Sequence, residues 1–483
     1  MTLTSWPVLG GGILAAAALM VWLTRRALRN SGRRSLLEFR ARIDRYKLTA
    51  TSRVKGELVA DPIISEAVAR HAAEHGLAPE RVARTVREYI DEIVPFFNVL
   101  SYYKLGYNFS KLLTRLFYKV TVEYHDHKAL SRIPRKDVVV YLVNHRSNMD
   151  YVVVTYVLAQ VVSISYAVGE WARTWPLEYI FKSFGSYFIR RKFRDPLYHI
   201  VLERYVQLIT RHGVTQGIFP EGGLTRDGTL RPAKIGLLDY IVGTLKDSRF
   251  EGDLWLVPVA INYDRVLEDR TLTRELVTDV PRPSYLKQLV GWVGFAFWNG
   301  FLVLTGQKQR YGRVAVNFDA PISVRAWLAA ERPDLLTAPR EERLPVIQRL
   351  ADLVMTRAGA VIPVTPVPFV ATALLSFHTS QIPMDSLWDR MAELKDRLKE
   401  TNARMVRSEL AVTEVWERAW RTFRARRWVY RDGANLIILP SARPLLEYYA
   451  NSIAHLLPTA PAWDLTPADG DDPSLPHLGR QPR

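Results

Sequence analysis

The 483-residue chain contains no cysteine. That excludes disulfides, a cysteine nucleophile, a thioester intermediate on the protein and any thiolate metal site. Acidic residues are also the scarcer charge, with 49 Asp and Glu against 66 Lys and Arg and a formal net charge of +17. An excess of that size favours anionic partners such as nucleic acid, phospholipid surfaces or phosphorylated substrates, and does not choose among them. The Gly-x-Ser-x-Gly and Walker A patterns are both missing, which removes the usual serine-hydrolase and P-loop readings. No internal repeat is present, and the length allows two or three units with a full core.

Charge is absent from Ser5 to Thr24, and the apolar stretch there approaches the roughly 20 residues that span a bilayer. Arg25, Arg26, Arg29, Arg33 and Arg34 follow at once while nothing basic precedes it. This asymmetry predicts a single N-terminal span over residues 1–24, in the inner or plasma membrane, with the remainder on the cytoplasmic side. A second uncharged segment, 288–307, carries Trp292, Phe295, Phe297, Trp298 and Phe301 and is expected to contact lipid rather than to cross.

Periodicity predicts a helical region over 25–130, with one helix opening near Pro62 and closing at Gly76. From 131 to 325, short apolar strands alternate with helical stretches, the strands being Val138–Val143, Ser186–Ile189, Gln216–Phe219, Leu254–Ile261 and Val314–Asn317. The expected fold is therefore α/β, a mixed sheet flanked by helices. Pro258 within the fourth strand implies an edge or an irregularity, because it has no N–H to donate. Residues 326–457 read as mainly helical, and the six prolines after residue 457 predict a disordered tail over 458–483.

The most informative pair is His145 and Asp150, which directly follow the first apolar strand. On a continuous helix a separation of five leaves side chains about 140° apart, so the two meet only across a turn. A strand-to-helix turn at His145 would place Asp150 in the first helical turn, where the helix dipole favours a carboxylate. An imidazole so held can take a proton from a hydroxyl. Further on, Gly185 to Arg194 forms a strand ending in four cations within five residues, Arg190, Arg191, Lys192 and Arg194, suited to phosphate at the mouth of a sheet. Phe219-Pro220-Glu221-Gly222-Gly223-Leu224-Thr225-Arg226 adds two glycines that let backbone approach a ligand, Glu221 for a hydroxyl, and Thr225 and Arg226 for phosphate. His71-Ala72-Ala73-Glu74-His75 imitates a zinc-peptidase pattern without a separate carboxylate ligand, and His125-Asp126-His127 reads as a polar loop.

Taken in order, Asn144-His145-x4-Asp150, Gly185-x3-Ile189-Arg190-Arg191, Phe219-Pro220-Glu221-Gly222-Gly223-x2-Arg226 and Val257-Pro258-Val259 resemble the four motifs of the glycerolipid acyltransferase superfamily. Glu-Gly-Gly and Ile-Arg-Arg are more similar to glycerol-3-phosphate and dihydroxyacetone-phosphate acyltransferases than to lysophosphatidate enzymes, which usually carry Glu-Gly-Thr. The resemblance covers roughly residues 90 to 457. One departure stands out. Where the long bacterial enzymes typically read Glu-Gly-Gly-Arg-Ser-Arg, this chain has Leu224 and Thr225, so one phosphate-binding cation is missing.

The resemblance implies transfer of a fatty acyl group from acyl-CoA or acyl-carrier protein to the sn-1 hydroxyl of glycerol 3-phosphate, giving lysophosphatidate, the first step of phospholipid synthesis. His145, oriented by Asp150, would be the base. Arg190, Arg191 and Arg226 would hold the phosphate with Glu221 on the glycerol, Lys192, Gly222, Gly223 and Thr225 would complete the substrate-binding set, and amides around His145 would stabilise the oxyanion. No metal or other cofactor is implied, and the partners are the two substrates and membrane lipid, without nucleic acid. Acylation of dihydroxyacetone phosphate is the enzymatic alternative, and an inactive lipid-binding scaffold the alternative of another class.

Overall fold

The computed structural model describes residues 46, 49–97, 106–124, 130, 132–158, 164–169, 173, 177–190, 193–277, 311–377 and 379–457. Three helices open it: α1 (Thr51–Val59), α2 (Pro62–His75) and α3 (Pro79–Ile93). Asp61 caps α2 by accepting from the N–H groups of Ile63 and Ile64 at 3.0 and 3.3 Å, with Pro62 in the first turn. Gly76 ends that helix with a left-handed φ of 61°, so both of its boundaries fall where the sequence marks them. Val82, Val86, Tyr89, Ile90 and Ile93 form the buried stripe of α3, at the spacing of one helical face.

Helix α4 (Asn108–Phe117) leads into β1 (Lys119–Tyr124), followed by β2 (Val138–Val143), α5 (Met149–Leu158), β3 (Ser165–Gly169), α6 (Leu177–Ser183), β4 (Tyr187–Ile189), α7 (Pro196–Arg211) and β5 (Gln216–Ile218). The chain continues through α8 (Gly236–Gly243), β6 (Leu254–Tyr263), α9 (Asp269–Val277), β7 (Arg313–Phe318), β8 (Ile322–Ser323), α10 (Val324–Glu331) and α11 (Arg340–Ala360). It closes with α12 (Pro366–Leu375), β9 (Gln381–Pro383), α13 (Met384–Glu400), α14 (Val412–Arg426), the hairpin β10 (Val429–Asp432) and β11 (Asn435–Ile438), and α15 (Arg443–Ala454).

The main sheet has the order β1-β7-β6-β2-β5-β3-β4, with β8 also on β6. Strands β6, β2, β5, β3 and β4 are parallel to their neighbours in that run, while β7 is antiparallel to β6. The sheet is mixed and flanked by helices, as expected. Alternate residues of β2 divide its two faces: Val138, Val140 and Leu142 join the apolar layer of α1–α3, α7, α8 and α11, whereas Tyr141 and Val143 join that of α5 and α12–α15. Strand β6 is interior, not an edge, and the irregularity foreseen at Pro258 is a change of partner. On that flank β8 pairs with Trp255 and Leu256, and β7 takes over from Val259 onward.

Two elements depart from expectation. Residues 119–124 were expected to be helical, yet β1 completes the sheet beside β7, and β9–β11 form a separate three-stranded sheet within the C-terminal helices. The membrane assignment is corrected: among the described residues no helix is long and apolar enough to cross a membrane, so neither a transmembrane helix nor localisation by one is supported. The predicted span at 1–24, the aromatic segment at 288–307, His125-Asp126-His127 and the tail at 458–483 lie outside the described residues.

Candidate active site

Because five strands run in parallel, their carboxyl ends share one edge of the sheet, and the loops leaving β2, β4, β5 and β6 gather there. Val143 ends β2 and Met149 starts α5, which puts His145 in the intervening turn and Asp150 in the first helical turn. His145 Nδ1 lies 2.9 Å from Asp150 Oδ2. The same oxygen accepts the main-chain N–H of Arg146 at 2.7 Å and of Ser147 at 3.0 Å, and Oδ1 accepts the Tyr263 hydroxyl at 2.5 Å. Asp150 is fully buried and His145 is 2% exposed. Four donors converge on that carboxylate, so hydrogen bonds replace the water it gives up on burial. With Nδ1–H donated to Asp150, Nε2 keeps its lone pair and has no hydrogen-bond partner among the described residues.

The ring is held as firmly as its nitrogen. Phe219 lies against it with centroids 4.3 Å apart, and Tyr151 meets it edge-on at 5.5 Å. Asn144, one residue earlier, pins the turn to β6 by accepting from Ile261 N–H at 2.7 Å and donating to Ile261 C=O at 3.1 Å. Glu268, just beyond β6, accepts the Ser147 hydroxyl at 2.7 Å and the Asn148 N–H at 3.3 Å. Its burial pushes its carboxyl above the usual range. Burial likewise raises the Tyr263 hydroxyl far above its ordinary value, with the Asp150 charge adding to it, so Tyr263 stays a donor. The Arg146 guanidinium is buried and points away, toward Ser452 C=O of α15 at 3.3 Å. Tyr263, Glu268 and Arg146 escaped the sequence reading because their partners are distant in the chain.

One expectation fails. The amides around His145 cannot serve an oxyanion, because every N–H from 145 to 150 is engaged: His145 with Glu221, Arg146 and Ser147 with Asp150, Asn148 with Glu268, Met149 with the Ser147 hydroxyl and Asp150 with Ser147 C=O. The turn spends its donors on its own geometry.

Glu221, after β5, is 2% exposed and bridges two main chains, accepting His145 N–H at 2.8 Å and Arg231 N–H at 3.2 Å. Burial pushes its carboxyl up to about 7, against the opposing pull of those amides. Gly222 has φ +67°, and a Cβ there would lie 2.8 Å from Lys234 Cδ, so glycine answers both to conformation and to close approach. Thr225 is buried. Its N–H donates to His145 C=O at 3.2 Å, and its hydroxyl donates to Asp227 at 2.9 Å and accepts Gly228 N–H at 3.1 Å. It builds the turn.

The cations are less settled. Arg190, just past β4, gives Nε to Glu92 of α3 at 2.7 Å and Nη2 to the other oxygen of the same carboxylate, while Arg173 reaches that carboxylate at 2.8 Å. Arg226 is half exposed and pairs with Glu275 of α9 at 3.1 Å. Arg191 and Lys192 lie outside the described residues. His71, Glu74 and His75 do converge, their ligand atoms lying within 4.8 Å of one another, but on the outer end of α2.

Residues 122–262 match the acyltransferase family, and residues 298–463 match the glycerol-3-phosphate acyltransferase C-terminal region. The acyltransferase match takes in the His145 turn, the Glu221 loop and the body of β6. A glycerol-3-phosphate acyltransferase from Aeromonas hydrophila is 28% identical over 71% of this chain and 42% of its own length. Another from Pseudomonas fluorescens is 29% identical over 69% and 39% respectively. The chain thus spans about two fifths of the length of the curated relatives it matches. A solved 1-acyl-sn-glycerophosphate acyltransferase from Thermotoga maritima is 19% identical, covering 53% of this chain and 80% of that one, with a TM-score of 0.30.

Proposed function

We propose that the chain is a glycerol-3-phosphate 1-O-acyltransferase, moving a fatty acyl group from acyl-CoA or acyl-carrier protein to the sn-1 hydroxyl and releasing lysophosphatidate. The observation that carries this reading is the buried His145–Asp150 pair, whose Nε2 is left as an acceptor beside a loop edge rich in cations. Similarity to proteins named glycerol-3-phosphate acyltransferases supports the choice of acceptor.

His145 Nε2 takes the hydroxyl proton as the alkoxide attacks the thioester carbonyl, and Asp150 stabilises the imidazolium that results. Collapse of the tetrahedral intermediate expels the thiolate, to which the imidazolium returns the proton. No acyl-enzyme forms, in keeping with the lack of cysteine. Arg190 and Arg226 serve the phosphate by exchanging Glu92 and Glu275 for it, with Arg191 and Lys192 alongside. Glu221, Gly222 and Thr225 give the loop its shape, and Gly223 lies between them on the substrate-binding turn. The product carries an acyl chain and partitions into lipid, which makes lipid a partner of the reaction. The working division is an α/β acyltransferase domain over 131–325, whose sheet also takes in β1, followed by a mainly helical region over 326–457.

The purified full chain is expected to release free thiol when given glycerol 3-phosphate with an acyl thioester, assayed with both donors and with dihydroxyacetone phosphate as the competing acceptor. His145→Ala should lower kcat by about 10²- to 10⁴-fold, the usual contribution of a general base. Unchanged turnover in that variant, or no turnover by the wild type with either acceptor, ends the reading, and the second result leaves the inactive scaffold.

A further inference from the structure

We infer that Arg231, with Lys234 beside it, supplies the principal cationic contact to the acceptor's phosphate, over the main-chain N–H groups of Gly223 and Leu224, which have no partner among the described residues. This rests on the reading above, that the acceptor carries a phosphate, and assigns it to residues outside the motif cations.

Four observations converge. First, Arg190 and Arg226 already have carboxylate partners in Glu92 and Glu275, so either must surrender an ion pair before it can bind a ligand. Second, Arg231 is anchored one carboxylate away from the base: its N–H and that of His145 donate to opposite oxygens of Glu221. Its side chain is exposed, has no carboxylate partner among the described residues, and puts Nη1 3.4 Å from Leu224 C=O. Third, Lys234 is laced to the same loop by its N–H on Pro220 C=O at 2.8 Å, and its side chain covers Gly222 so closely that a Cβ there would lie 3.4 Å from Nζ. That ammonium also lacks a carboxylate among the described residues. Fourth, the N–H groups of Gly223 and Leu224 have no hydrogen-bond partner among the described residues, in a turn where neighbouring amides do.

The Leu224 side chain packs toward the apolar layer of α5 and α12–α15. The position that lacks a cation is thus spent on the core, and Arg231 delivers a guanidinium to the same point of the main chain. A phosphate there meets a planar fork, an ammonium and two N–H groups before Arg190 or Arg226 gives up a carboxylate to join them.

The test is steady-state kinetics on the full chain with glycerol 3-phosphate varied, alongside calorimetric binding of glycerol 3-phosphate without acyl donor and competition by inorganic phosphate. Arg231→Gln should raise KM and Kd for glycerol 3-phosphate about 10- to 100-fold, the loss expected for a charge-assisted contact, and raise the inhibition constant of inorganic phosphate in parallel, with kcat within about 3-fold. Arg231→Lys should fall between it and the wild type. Wild-type KM and Kd in Arg231→Gln overturn the inference while leaving the acceptor reading intact. A fall in kcat at unchanged KM overturns it too, since that is the mark of a disturbed Glu221 bridge. If Arg231→Gln does not fold, wild-type constants in Arg231→Lys for both ligands overturn it. Failure of the wild type to bind glycerol 3-phosphate defeats the acceptor reading, and the inference falls with it.

Discussion

The His145 turn and the cationic rim lie on the same edge of one sheet and are built on opposite terms. In the turn every main-chain N–H is engaged, Asp150 accepts four hydrogen bonds, and the side chains are buried. On the rim, Arg226 is half exposed, Arg190 shares Glu92 with Arg173, and Arg231 and Lys234 have no carboxylate partner among the described residues. The difference follows from what each must do. Under the proposed roles, a base works in one orientation, so its supports are preorganised and dry, whereas a phosphate must arrive and leave, so its partners stay wet and exchangeable.

The sharpest challenge to this contrast is Asp150→Asn. The amide cannot accept from His145 and both turn amides while holding Tyr263 in the same way, so kcat should fall about 10²- to 10⁴-fold with KM little changed. A loss confined to KM would place Asp150 with the rim. Next comes pH. Glu221 has its carboxyl raised from 4.5 to about 7 by burial, so the folded state holds that proton more tightly than the unfolded chain does. The resulting stability is present below about pH 4.5 and is lost as pH rises toward 7, on the order of 2–3 kcal/mol in all. Urea unfolding near pH 4.5 and near pH 7 should show this loss in the wild type and a smaller one in Glu221→Gln. Equal slopes would mean that Glu221 is not part of the dry shell. The smallest effect belongs to Arg226→Gln: its pair with Glu275 is solvent-exposed, and stability should stay within about 1 kcal/mol by urea unfolding.

Legibility in the sequence followed chain distance. His145 and Asp150 could be paired because both ends of the contact lie within one turn, and the longer apolar strands were readable from their runs of Val, Ile and Leu. Strand β1 was not, because Lys119-Val120-Thr121-Val122-Glu123-Tyr124 is short and half polar and becomes a strand only on meeting β7 from residues 313–318. The supports of the turn were equally hidden. Tyr263 and Glu268 lie 113 and 121 residues from their partners, and no local pattern announces a contact at that separation.

By itself the sequence determined the strand-to-helix turn, the pairing of imidazole with carboxylate, the exclusion of cysteine chemistry and the basic edge, since each depends on residue type and near-neighbour spacing. Only the tertiary structure decided which cations are free. Glu92 and Glu275 reach Arg190 and Arg226 from other helices, and Glu221 draws Arg231 to the side of His145. Charge pairing is set by distances in space, and ten residues of chain or a hundred can close to the same few ångströms.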